Sequence, residues 1–324
     1  MNKGVGIFKK AADDIARIMQ AGEQIYRDLL SVRPDETDMI ICPEHLGDTI
    51  WIAVYAEAYI RKHDSSYVYY VVKESQKEMV EHFPGIEGTV SLTSKEMLAL
   101  RIYIVAMQLW SENHIVYGHG REVLSYGSDS FYLRRDSESH MESMVVSRCR
   151  WLGIDEDSVP GRMMIPDEGN DPELTELFSN SVLFVPTAQS ARSIPDSFWI
   201  NLANRYREQG YDVYTNYNGF DYEQKIEGIK PIASSIMELA QISQYFSKVI
   251  TLRSGASDLL METNSDLVVL YNCEVPDKGI MIKPGDVVWD SIHDLVDRKG
   301  VEYYQYLPER TDELLDVLAK GGER

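Results

Sequence analysis

The feature that most constrains this chain is an alternation of short apolar runs with helix-patterned segments, carried through twice and interrupted once. In the first half, Met39 to Cys42, Tyr67 to Val72, Val90 to Leu92 and the run from His114 read as strands, with helices expected at Trp51–Lys62, Glu74–His82 and Lys95–Leu100. In the second half, Val182–Val185, Asp212–Tyr214, Val249–Leu252 and Leu267–Tyr271 read as strands, with helices at Ser197–Gln209, Ser235–Phe246 and Ser257–Thr263. Apolar runs of this length, separated by amphipathic segments and short connections, specify parallel sheets covered by helices on both faces. The stretch 101–113 fits strand and helix equally. Ile7 to Leu30 spaces its apolar residues mostly three and four apart, as an amphipathic helix packed on a domain does.

The interruption lies at Asp155 to Asp171, which is rich in Asp, Glu, Pro and Gly and reads as a linker. The expected organisation is α/β, with two Rossmann-like domains facing a central cleft: an N-terminal domain over residues 1–158, a linker over 159–180 and a C-terminal domain over 181–324. A chain of 324 residues suits two domains of about 150 residues each. Thr311 to Lys320 reads as a capped amphipathic helix, free to return to the first domain or to serve an interface.

Charge and cysteine usage narrow the functional classes. Fifty-two acidic residues against 32 basic ones leave a formal charge of −20, which repels a polyphosphate backbone and argues against a nucleic-acid partner. A small anion is still admissible, because a few focused donors reverse the field within a Debye length of about 8–10 Å. Cys42, Cys149 and Cys273 have no CxxC spacing, so neither a disulfide framework nor a structural zinc site is expected, and the compartment reads as reducing. No signal peptide and no run of about 18 apolar residues is visible, so a cytoplasmic location is expected.

Chemistry-bearing residues cluster just after strands, where open parallel sheets gather their ligands. Lys248 to Leu252 breaks at Arg253-Ser254-Gly255 and enters a helix at Ser257-Asp258, a junction that offers unpaired amides, a glycine and a cation to a phosphate. A structural turn with Arg253 salt-bridged elsewhere fits the same residues. Pro186 to Ser193 follows another strand and holds Thr187, Ser190 and Arg192, as phosphate contacts or as a solvated loop. His45-Leu46-Gly47-Asp48 ends the first strand; Asp48 is placed to face a crevice or to cap the following helix, and His45 to line it. His119 follows the strand at His114 and reaches the same sheet edge if the strands are parallel. Tyr126 to Tyr132 is a polar, aromatic-rich loop suited to sugar or peptide contact, or simply to the surface. No GxxxxGK[ST] is present and no GxGxxG follows a strand, which weighs against ATP hydrolysis and ordinary NAD chemistry.

Four segments together resemble the GT-B glycosyltransferases, nearest the heptosyltransferase-like family 9, over most of residues 38–272. They are the Leu46-Gly47-Asp48 turn, Phe83-Pro84-Gly85-Ile86, the helix start Ile194-Pro195-Asp196-Ser197-Phe198-Trp199, and the Arg253-Ser254-Gly255…Asp258 turn. Where that family has Asp-Ser-Gly followed by a histidine, this chain has Arg253 and, near the histidine, Asp258; heptose is therefore not carried over. The resemblance implies an inverting, metal-independent transfer from a nucleotide sugar, which is a co-substrate and not a cofactor, to a glycan or lipid-linked acceptor in cell-surface polysaccharide synthesis, with peripheral membrane contact. It makes Asp48 the general base and Thr187, Ser190, Arg192, Arg253, Ser254, Gly255 and Asp258 the donor side. His45, Gly47 and His119 fall on the acceptor side. An NDP-sugar 2-epimerase and a non-catalytic nucleotide- or sugar-binding protein remain as alternatives.

Overall fold

The computed structural model describes residues 2–32, 38–42, 45–65, 68–107, 114–116, 149, 152–166, 170–188, 192–219, 223, 225–272, 279–282 and 300–320. The chain divides into two compact units, Met1–Arg162 and Met163–Arg324.

The first unit is built on four parallel strands, β1 (Asp38–Ile41), β2 (Val68–Lys73), β3 (Ile86–Leu92) and β4 (His114–Val116), in the order β3-β2-β1-β4. Met39, Ile40 and Ile41 are all buried, as a central strand covered on both faces requires. The single helix expected over 51–62 is two, α2 (Leu46–Ala53) and α3 (Ala56–His63). The break falls at Val54, whose carbonyl is taken by the Gly161 amide at 2.6 Å. The segment after β2 is a 3-10 turn, Glu74–Gln76, running into α4 (Lys77–Val80). Helix α5 (Ser94–Met107) absorbs part of the undecided stretch; Thr93 and Glu96 form a reciprocal cap at its start.

Helix α1 (Asn2–Val32) packs along α5. Gly22 sits at their closest approach, where an added Cβ would lie 2.2 Å from the Ala99 carbonyl oxygen. Leu29 carries α1 into the core formed by Met39, Ile41, Val71, Leu100 and Ile104.

The second unit has six parallel strands, β5 (Ser181–Val185), β6 (Asp212–Asn216), β7 (Lys230–Ile232), β8 (Lys248–Leu252), β9 (Leu267–Tyr271) and β10 (Glu302–Gln305), ordered β10-β9-β8-β5-β6-β7. The two edge strands escaped the pattern reading for different reasons. β7 is Lys-Pro-Ile, a proline-bearing strand that only an edge tolerates, and β10 is Glu-Tyr-Tyr-Gln, without a continuous apolar run.

Its helices are α6 (Pro172–Phe178), α7 (Asp196–Glu208), α8 (Ile236–Ser243), α9 (Gly255–Met261) and α10 (Thr311–Ala319). Helix α6 lies inside the stretch read as linker: Asp171 caps it through the Glu173 and Leu174 amides, and Phe178 stacks on Phe246 with ring centroids 4.6 Å apart. Residues 163–180 therefore belong to the second unit. Helix α10 also stays there. Leu314, Leu315 and Leu318 join the core around Trp199 and Leu202, and the Tyr206 hydroxyl donates to the Leu318 carbonyl at 2.7 Å.

Candidate active site

In each sheet the strand order reverses beside its first strand, between β1 and β4 in one and between β5 and β8 in the other. Chain segments leaving neighbouring strands at such a point diverge, and the crevice they leave is where ligands of doubly wound sheets bind.

At the β1 tip, His45 occupies the N-cap of α2, exposed and making no side-chain cap bond. Leu46, Gly47 and Asp48 form the first helical turn, all half-buried. A carboxylate in that turn is favoured by the positive helix end. Beneath it lies a buried polar cluster. Thr49 Oγ1 is 3.2 Å from the His45 carbonyl, 3.0 Å from Gln76 Oε1 and 3.5 Å from Cys42 Sγ, and the Tyr70 hydroxyl donates to the Thr49 carbonyl at 3.3 Å. Burial, with smaller contributions from Cys42 and Asp48, holds the Tyr70 phenol well above its ordinary range, so it remains a neutral donor. Pattern reading passed over this cluster because its members are dispersed over residues 42, 49, 70 and 76. β4 runs parallel to β1 and ends at Val116; His119, three residues on, and the aromatic loop 126–132 lie outside the described residues.

At the second switch point, Pro186, Thr187 and Ala188 leave β5 and Arg253-Ser254 leaves β8. Thr251 Oγ1 donates to the Val185 carbonyl at 3.3 Å and ties the two strand ends together. Asn272, past β9, donates to the carbonyls of Arg192 and Ser193 at 3.0 and 2.8 Å and anchors the far end of the 187–193 loop. Thr187 is half-buried; Arg192 is exposed, its guanidinium unpartnered among the described residues; Ser190 lies outside them.

The structure takes up the salt-bridged form of the Arg253 turn. The Arg253 side chain, 8% exposed, folds back so that Nη1 meets Asp258 Oδ2 at 3.1 Å and donates to the Ser254 carbonyl at 2.9 Å, and the Asp258 side chain is 2% exposed. A charge this deep needs a near counter-charge, and Asp258 is five residues away, brought round by one turn of α9. The amides of the turn are also engaged: Ser254 Oγ accepts from Ala256 N at 3.2 Å, and Ser254 N donates to Ser257 Oγ at 2.9 Å. Arg253 is thus committed to its own turn and is not extended toward an anion, and Gly255 opens a helix whose cap is already satisfied. Among the described residues, no three His, Cys, Asp or Glu side chains gather into a metal-holding group.

Two parallel, doubly wound units, each with polar side chains at its switch point, make a GT-B fold. No family model matches the sequence, and no curated protein does. Two of the solved structures that share the fold match it nearly end to end, and a third over a smaller part. A family 9 glycosyl transferase from Veillonella parvula DSM 2008 aligns at a TM-score of 0.57 and 14% identity, over 90% of this chain and 99% of that one. The E. coli heptosyltransferase WaaC with ADP aligns at 0.55 and 10%, over 88% and 98%. The iron-containing dodecameric glycosyltransferase TibC from enterotoxigenic E. coli H10407 aligns at 0.50 and 16%, over 73% and 58%.

Proposed function

We propose that this chain is a glycosyltransferase that moves a sugar from a nucleotide-sugar donor to a hydroxyl of a glycan or lipid-linked acceptor in cell-surface polysaccharide synthesis, with inversion and without a metal. The observation that supports it is the coincidence of Asp48 with one switch point and of Thr187 and the Arg253 turn with the other, on a fold shared with glycosyl- and heptosyltransferases. Asp48 accepts the proton of the acceptor hydroxyl as its oxygen bonds to the anomeric carbon. The bond from that carbon to the diphosphate breaks with its electron pair on the leaving oxygen, and displacement from the opposite face inverts the centre. Thr187, Ser190 and Arg192 receive the leaving charge, with Arg192 the cation suited to phosphate oxygens. Arg253, Ser254, Gly255 and Asp258 shape the donor side as a closed turn. One neighbour is described with ADP, so a nucleoside diphosphate is the leaving group proposed here; the Arg253–Asp258 arrangement leaves the sugar open.

His45, Gly47 and His119 are assigned to the acceptor side. The protein acts from the cytoplasm in peripheral contact with a membrane when its acceptor is lipid-linked; among the described residues no helix is long and apolar enough to cross one. The test is a thermal-shift screen of nucleoside diphosphates and nucleotide sugars followed by turnover. A ligand at about 100 times its Kd stabilises by about 2.7 kcal/mol. Asp48→Asn is expected to keep donor binding and lose about 10²–10⁴ in kcat, the range general-base catalysis supplies. Wild-type turnover is expected to survive EDTA. No response to any nucleotide, or full turnover by Asp48→Asn, defeats the reading.

A further inference from the structure

A general base acts from a fixed distance, and the first turn of α2, which carries Asp48, has little order of its own to set one. Its N-cap, His45, makes no side-chain cap bond, and Gly47, just before Asp48, adds backbone freedom. The turn is held instead from outside, at Thr49, the residue that follows Asp48. Thr49 is fully buried, and its hydroxyl, with one proton and two acceptors in reach, is shared between Gln76 Oε1 at 3.0 Å and the His45 carbonyl at 3.2 Å. On the backbone side, the Tyr70 hydroxyl donates to the Thr49 carbonyl at 3.3 Å. Tyr70 belongs to β2 and Gln76 to the 3-10 turn that follows it, and both are buried. The side chain and the main chain of Thr49 are thus fastened to two separate points of the scaffold.

We propose that Thr49, Gln76 and Tyr70 are positioning residues for Asp48: they clamp the first turn of α2 to β2 and to the turn after it, and so set where the carboxylate meets the acceptor hydroxyl. The inference rests on the transferase reading above and deepens it by naming what orients its base. The bonds to Gln76 and from Tyr70 are both buried, where water does not compete for them. Burial first, then Cys42 and the Asp48 charge, keep the Tyr70 phenol protonated, so it stays a donor and the carboxylate is near enough to be felt there. A base must come within about 2.6–3.2 Å of the proton it takes, and a displacement of about 1 Å costs about a hundredfold in rate. None of the three residues belongs to the unit that holds Thr187 and the Arg253 turn, so loosening the clamp lowers kcat and leaves donor binding as it was.

The test follows diphosphate release from ADP-, GDP-, UDP- and dTDP-glucose, with water as the acceptor whose proton Asp48 takes. Tyr70→Phe and Thr49→Val are each expected to lower kcat about tenfold or more with the donor KM within about twofold of wild type, and Thr49→Ser, which restores the hydroxyl, to recover most of the loss. The decisive comparison is made in Asp48→Asn. Residues that act through Asp48 have nothing left to position there, so adding Tyr70→Phe or Thr49→Val to Asp48→Asn costs no further turnover. A fall by the same factor in both backgrounds would mean a structural role alone and overturn the proposal, as would full kcat in Tyr70→Phe and Thr49→Val. If Thr49→Val does not fold, Tyr70→Phe carries the cycle, since it loses one hydroxyl and keeps the buried ring. Full turnover by Asp48→Asn removes the base and the clamp's purpose with it. No release from any donor removes the transferase reading itself, and both outcomes are seen before any clamp variant is made.

Discussion

At the scale of single residues, the Arg253–Asp258 pair is the most consequential observation. Both charges are nearly inaccessible, and each is tolerated because of the other. Arg253→Ala removes the cation beside a buried carboxylate and is expected to cost about 3–5 kcal/mol, read as a lowered urea midpoint. Replacing both, as Arg253→Met with Asp258→Asn, is expected to cost less than the two single changes summed, because no buried charge then loses its counter-charge. Strict additivity in that cycle would show that the pair does not act as a unit. The sequence showed that a cation and a carboxylate stood five residues apart at a strand-to-helix turn. It could not show that Arg253 turns inward, because that direction is set by how deeply β8 and α9 bury the turn. Trp199 was visible in a helix start, but that its buried indole N–H finds no partner was not.

Among elements, the contact between α1 and α5 depends on a missing side chain. Gly22 lets the Ala99 carbonyl approach to a distance no Cβ would allow. Gly22→Ala is expected to destabilise by about 1–3 kcal/mol despite alanine's better helix propensity, since backbone must move to admit the methyl. A thermal melt of the variant checks it, and an unchanged or raised Tm refutes it. Helix α10 is held differently, by three leucines and by the Tyr206 hydroxyl on the Leu318 carbonyl. Tyr206→Phe is expected to cost about 1 kcal/mol, measured by urea unfolding. Strand and helix types followed from periodicity nearly everywhere the segments were long. The misses were short edge strands, the split at Val54 and the capped helix α6, where partners distant in sequence decide the outcome.

For the molecule as a whole, the fold carries an alkaline limit in its first unit. Burial is the main cause that pushes the Cys149 thiol up to about 11, above the ordinary thiol range. The folded state therefore holds the proton more tightly than the unfolded chain. This contribution is fully present below about pH 9 and is lost as pH climbs through 11. The expected result is a Tm that falls across that window, with Cys149→Ser flattening part of the fall. Iodoacetamide should label Cys149 in native protein only slowly near pH 8, since the thiolate is the reactive form. Rapid labelling of folded protein there would contradict the assignment.

By itself, the sequence determined that the chain would form two parallel, helix-covered sheets, because short apolar runs alternating with amphipathic segments admit little else. It also determined that polar groups would fall at strand tips, since hydrophobic runs end there and the backbone must turn. Only the tertiary structure decided that the tips of β1, β5 and β8 stand at the two places where strand order reverses. Order within a sheet depends on which strands pair, a long-range choice that no local pattern records. The same long-range packing decided which polar groups are spent within the fold. Arg253 and Asp258 neutralise each other in a buried turn, while the Trp199 indole N–H is buried without a hydrogen-bond partner.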